Sequence, residues 1–425
     1  MLAARASTVR NVQRLGRSFA TVVDSAGLKV AAIDHNQPTS AVTILVKAGS
    51  RFESKPGVAN ALKNFAFKST AKRSALGTVR ESELYGGALS ASLTREHLAL
   101  TAEFLRGDEQ FFVDVLSSFI TSAKFTRHEY EEYVTPVIEG EGVAANTDPA
   151  IRAIELAHAL AFRSGLGASL FAPSHNSLTV EDIKSFAASA FAKDNIAVLG
   201  TGIDQSVLAQ LVEKSLSSAS STAATSSSAS SYFGGESRIE AHGGPQTVFI
   251  GFGATGAPNA GLAALSAYLS PQPSVKWSQG LSPIAASLPA GTTVQSVYLP
   301  YSDATLVGLL VQGTTAAGVK EAGKVAVQAL KKASTGVSAE ELKTAIAKAR
   351  FNAASSLDSR DGLVSVLGSN VLAGSDASLD GSLAVFDKVT AATFSKAATA
   401  LVKGKPTYVA VGDVHALPYA DELGL

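Results

Sequence analysis

The strongest constraint on the fold is a tract near the middle of the chain. After Lys214 the sequence runs SLSSASSTAATSSSASSYFGGES, and the two flanks on either side carry the same order of elements. A run of Ser, Ala and Thr buries too little apolar surface to offset its ordering entropy, so it reads as a flexible linker. Each flank opens with extended apolar segments, LKVAAID and AVTILVKAG in the first, IEAHGG and QTVFIGFG in the second. A short helix follows in each, over Val58–Phe67 and Asn259–Leu269. Paired strands come next, ALSASLTREHLALTAEFL and TTVQSVYLPYSDATLVGLLVQG, and then helices in series. Capping boxes at Thr126-x-x-Glu129 and Ser338-x-x-Glu341 fall at corresponding places. NIAVLGTG and PTYVAVGD close the halves as buried strands. One α/β unit used twice is the economical reading, with domains over 20–212 and 237–425 and a flexible linker over 213–236.

Hydrophobic residues make up 46% of the 425-residue chain and charged residues 17%, enough for two sizeable cores. Lys+Arg and Asp+Glu both number 36, with no basic block to track a phosphate backbone, so no nucleic-acid partner is expected. The absence of Cys excludes disulfides, thiolate zinc sites and cysteine nucleophiles. MLAARASTVRNVQRLGRSFATVV contains Arg5, Arg10, Arg14 and Arg17 and no acid before Asp24, the composition of a mitochondrial transit peptide over residues 1–19. The longest uncharged run, Gly243 to Val275, is broken by four prolines, so no membrane span is expected and any membrane association comes through a partner.

Gly251-Phe-Gly-Ala-Thr-Gly256 spells GxGxxG, but no acid occurs between Phe252 and Asp303 to hold a ribose. It reads as a strand-to-helix glycine turn. His128 and Glu132, four apart in RHEYEEY, read as a solvated charged face. Neither a GxSxG elbow nor a GxxxxGK loop is present.

One stretch does carry chemistry by resemblance. VKAGSRFESKPGVANALKNFAFKST resembles the signature of the pitrilysin-like (M16) metallopeptidases, in which a strand and GSR-like turn lead into a helix bearing HxxEH. The resemblance implies two zinc-binding histidines and a glutamate that activates water. In this chain those positions are occupied by Asn60, Asn64 and Lys63, and the family's third ligand falls near Glu141. An amide oxygen is a poor zinc ligand beside an imidazole. An ammonium about 4 Å from Zn²⁺ would cost on the order of 8 kcal/mol at an effective dielectric of 20. No metal, cofactor or catalytic residue is therefore expected. Asn60, Lys63 and Asn64 are expected to line an inert cavity from a helix surface.

The implied fold is of the α+β class: two homologous α/β-roll domains, each a mostly antiparallel sheet packed by helices, joined by the Ser/Ala-rich linker. Zinc-free relatives include the α subunit of the mitochondrial processing peptidase and the core subunits of the cytochrome bc1 complex. FLRGDEQFFVDVLSSFITSAKF, SGLGASLFAPSHNSLTVEDIKSF and SVKWSQGLSPIAASL are similar to segments of those core subunits. The processing-peptidase subunit carries a glycine-rich loop where this chain reads SPQPSVKWSQG, with one glycine and two prolines. The resemblance thus implies a structural subunit of respiratory complex III, peripheral to the inner membrane on the matrix side. Its implied partners are core protein 1, cytochrome b, cytochrome c1 and the Rieske protein, in a dimeric complex. A presequence-binding subunit of the processing peptidase is the alternative.

Overall fold

The computed structural model describes residues 23–25, 27–34, 36–174, 177–219, 227–272, 282, 284–373 and 379–425. The leader over 1–19 and most of SPQPSVKWSQG lie outside the described residues. The first half runs β1 (Val23–Ser25), β2 (Leu28–Ile33), β3 (Thr39–Val46), α1 (Val58–Asn64), α2 (Ala75–Leu84), β4 (Ala88–Leu93), β5 (Leu98–Leu105) and α3 (Glu109–Ser122). It continues with α4 (Arg127–Glu129), a π-helical turn at Tyr130–Val134, α5 (Thr135–Thr147), α6 (Pro149–Phe162), α7 (Val180–Ala190), β6 (Ile196–Thr201) and α8 (Gln205–Leu216). The second half opens with β7 (Gly235–Glu240), β8 (Gln246–Thr255), α9 (Ala260–Leu269), β9 (Thr292–Pro300) and β10 (Ala304–Gly313). It closes with α10 (Ala316–Thr335), α11 (Ala339–Ser356), α12 (Arg360–Ala373), α13 (Leu379–Ala384), α14 (Ala391–Lys403) and β11 (Thr407–Gly412).

The duplication is visible in the sheets. The first has order β1-β2-β6-β3-β5-β4 and the second β7-β11-β8-β10-β9. Apart from β1, the two orders superpose strand for strand. Each has one parallel pair, β2 with β6 (Val30↔Val198) and β7 with β11 (Ser237↔Val409), and the remaining pairs are antiparallel. The mostly antiparallel α+β architecture expected from the sequence is present in both halves.

β3 and β10 are buried along nearly their whole length, because both faces of each sheet are covered. One face packs on the half's own helices: Val42, Ile44, Leu98 and Leu100 meet Leu62 of α1, Phe112 and Leu116 of α3, and Phe186 of α7. The other face is covered by the opposite half. Ala153, Ala157 and Ala161 of α6, all 0% exposed, lie with Phe162 on Phe249, Leu306, Leu310 and Val409 of the second sheet. Reciprocally, Val371 of α12 packs with Leu357 on Ala31, Ile33, Ala197 and Leu199 of the first sheet, and Lys29 Nζ donates to the Leu372 carbonyl. α6 and α12 hold equivalent places in the duplicated order, so the halves exchange one helix each. Alanines at i, i+4 and i+8 let α6 approach the strands closely, and Pro149 with an Asp148 cap starts it.

Three sequence expectations change. The linker expected over 213–236 is shorter: α8 runs to Leu216, β7 begins at Gly235, and Phe233 N donates to Ala161 O at 2.9 Å. GxGxxG is not a strand-to-helix turn, since Gly251 and Gly253 lie inside β8. They make room for rings on that sheet: a Cβ on Gly251 would sit 2.3 Å from Phe249 and one on Gly253 2.2 Å from Tyr232. Finally, the Ser338–Glu341 box is complete, whereas Glu129 gives one carboxylate oxygen to the Ser69 N–H, so only half of the Thr126 box forms.

Because of the helix exchange, residues 27–219 and 227–425 produced as separate chains should each expose one uncovered sheet face and associate when mixed. Gel filtration of the mixture checks this; two soluble halves that ignore each other would contradict it.

Candidate functional site

Gly57, at φ +88°, turns the chain into α1 from a conformation that favours glycine. Glu53 Oε2 accepts from Gly57 N at 3.0 Å just ahead of the helix, and burial pushes that carboxyl up to about 7 despite the Gly57 and Ala59 amides. Val58, Ala59, Ala61 and Leu62 anchor α1 in the first core. Asn60, Lys63 and Asn64 stand at i, i+3 and i+4, which places them on one side of the helix. Opposite them α5 delivers Glu141.

The structure brings all four sequence-predicted residues together. Lys63 Nζ donates to Glu141 Oε1 at 2.5 Å, and Asn60 Nδ2 and Asn64 Nδ2 donate to Oε2 at 3.0 and 3.3 Å. Asn60 Nδ2 also reaches Leu170 O at 3.0 Å, while Asn64 Nδ2 donates to Asn60 Oδ1 at 2.9 Å. Burial would raise the Glu141 carboxyl, but the Lys63 ammonium and the two amides hold it below its usual range. One expectation is corrected here. Asn60 is only 3% exposed, and the four side chains close on one another instead of lining a cavity.

The donor set does not suit a divalent metal. The carboxylate accepts hydrogen bonds from an ammonium and two amide nitrogens, so its lone pairs are engaged by cation and N–H donors. Among the described residues no group of three His, Asp or Glu could hold a metal ion. An ionised Glu141 held by Lys63 is also a poor proton acceptor for a water. The arrangement can tie α1 to α5 electrostatically. His128 and Glu132 form an exposed pair at 3.0 Å, as the sequence suggested.

Sequence reasoning missed a second polar cluster, at the joint between the halves. Arg95 reaches Glu155 at 2.5 Å and the Ala168 carbonyl, while Tyr301 OH lies 2.7 Å from His158 Nε2. His158 Nδ1 lies 2.7 Å from the Ile154 carbonyl, so the neutral ring donates from Nδ1 and accepts from Tyr301. Burial, aided by Arg95, pushes His158 down to about 3. Asp303 would be raised by burial, but Arg51 and the Ser230 amide hold it at about 2. The available signal was weak: TREH and YSD occupy equivalent hairpin turns in the two halves.

Two expectations follow from this chemistry. Lys63→Met strands a half-buried carboxylate and should destabilise the chain by about 1–3 kcal/mol in urea unfolding. Lys63→Glu should retain no stoichiometric zinc through dialysis, because both imidazoles are still missing. In acid, unfolded His158 binds a proton below its ordinary 6.5 while folded His158 waits until about 3, so stability falls as pH drops through that window. Glu53 acts oppositely: the folded chain holds the extra proton between 4.5 and about 7, so stability falls as pH rises there. His158→Gln should therefore flatten the acid limb by up to about 1.4 kcal/mol per pH unit, and Glu53→Gln should steepen it. Urea midpoints between pH 4 and pH 7 supply the check, and unchanged slopes in both variants would refute the assignment.

The family model described as Insulinase (Peptidase family M16) matches residues 29–174, which include the whole Lys63–Glu141 cluster. The chain is also similar along its length to mitochondrial cytochrome b-c1 complex subunit 2 from several organisms. The Cryptococcus neoformans var. grubii protein is 42% identical over 99% of this chain and 98% of its own. That of Yarrowia lipolytica is 37% identical over 97% and 99%, and the human one 29% over 93% and 90%. With a peptidase-family architecture, a cluster unsuited to zinc and end-to-end similarity of this kind, the chain belongs to the family of mitochondrial cytochrome b-c1 complex subunit 2 proteins.

Proposed function

We propose that this protein is a non-catalytic structural subunit of mitochondrial respiratory complex III. The observation that carries the reading is the Lys63 ammonium on Glu141: the peptidase framework is kept, and a charge pair stands where the family resemblance puts metal chemistry. We take Asn60, Lys63 and Asn64 as the altered zinc-motif positions, with Glu141 as the surviving third-ligand position. The finer reading is a heterodimer with core protein 1 inside a dimeric complex, on the matrix side, with cytochrome b, cytochrome c1 and the Rieske protein as neighbours. Among the described residues no helix is long and apolar enough to cross a membrane, which supports attachment through partners.

Its contribution is burial. Leu76, Val79, Leu84 and Tyr85 on and after α2 are exposed, Leu84 to 83%, next to β4, an edge strand of the first sheet among the described residues. Apolar groups concentrated in this way suit permanent association.

In mitochondria solubilised with mild detergent, the protein should co-migrate with cytochrome b and cytochrome c1 on a native gel. Migration with a soluble peptidase activity would instead favour a processing-peptidase subunit.

A further inference from the structure

Three stretches of chain converge on the guanidinium of Arg51. Arg51 Nη1 donates to Glu96 Oε1 at 2.8 Å, Asp303 Oδ1 at 2.7 Å and Ser302 Oγ at 3.2 Å. Its Nη2 reaches Asp303 Oδ2 at 2.7 Å and the Ser228 carbonyl at 3.2 Å, and Nε reaches Ser227 Oγ at 2.9 Å. The acids are tied in turn. Asp303 accepts from Ser230 N at 2.8 Å and Ser230 Oγ at 2.9 Å, while Glu96 accepts from Ser302 N at 3.0 Å and Ser302 Oγ at 2.5 Å. The Arg51 and Glu96 side chains are 4% and 9% exposed.

We propose that residues 227–233, the β4–β5 turn and the β9–β10 turn form a single clasp, closed by Arg51, that opens and closes as a unit separate from the two sheets. The residues of 227–231 have only small side chains, so their fixed course cannot rest on apolar burial and must rest on these polar bonds. Glu96 and Asp303 share Nη1, and without Arg51 they would face each other as like charges across Ser302. All three loops therefore depend on the same cation, and one loop cannot leave without stranding the buried charges that seat the others. The sheets do not share this dependence, since their cores are built mainly from apolar side chains and their few buried hydroxyls, such as Thr43 and Thr247, bond within the sheets and not to Arg51. Lysine cannot substitute, because the six contacts use the planar fork of the guanidinium. The inference concerns a cooperative element of the fold and stands whether or not the subunit reading does.

Amide hydrogen exchange on the full chain tests the clasp, comparing the native protein with Arg51→Lys and Asp303→Asn. The Ser230, Ser302 and Phe233 amides, bonded to Asp303, Glu96 and Ala161 respectively, should speed up together by about tenfold or more. Amides in the middle of β3 and β8 should keep their native rates. Faster exchange at Ser230 with a native rate at Ser302 would overturn the proposal by separating strap from turn. Uniform acceleration that includes β3 and β8 would overturn it by showing no independent unit. If Arg51→Lys fails to fold, Asp303→Asn gives the same readout.

Discussion

The whole molecule depends on covering the second face of each sheet. A mixed sheet with apolar residues on both faces cannot stand in water with only one layer of helices. Here α6 of the first half covers the second sheet and α12 of the second half covers the first. Neither half owns a complete set of layers. This accounts for the near-continuous burial of β3 and β10, which are central strands and read as apolar runs in the sequence.

Seen against that arrangement, the Lys63–Glu141 cluster is an energetic detail. α1 is held mainly by Val58, Ala61, Leu62 and Phe65 in the first core, and these contacts do not depend on what its polar side carries. A helix anchored in this way leaves its polar side free to carry an ion pair and two amides without loss of the core contacts. Fold and chemistry are separable at this site because different faces of one short helix supply them.

Much of this was legible in the sequence. Most strands announced themselves as apolar runs, although β7 (Gly235–Glu240) is polar and begins ahead of the expected IEAHGG segment; the Ser338 box was marked by spacing, and the duplicated order of elements pointed to the two sheets. Asn60, Lys63, Asn64 and Glu141 were found through a family resemblance, because their partners lie about eighty residues apart and no local pattern joins them. What stayed hidden is long-range and polar. Arg51 meets Asp303 across 252 positions, and nothing in GSRF indicates that its arginine is buried. The alanine stripe of α6 looks like an ordinary core helix, and periodicity does not say whose core. The glycines of β8 were misread for a similar reason: the ring that excludes a Cβ at Gly253 comes from Tyr232, outside the strand.

The Ser-rich tract has one more role once the helix exchange is recognised. Swapped elements can be swapped with the wrong copy, and two chains offering the same uncovered sheets could trade helices with each other. Joining both halves in one polypeptide turns that contest into an intramolecular reaction. A tether of this kind sets an effective concentration of the partner half in the millimolar range, far above what a second chain can reach. A low-complexity stretch with little apolar surface of its own to bury would thereby favour each helix covering the sheet of its own chain.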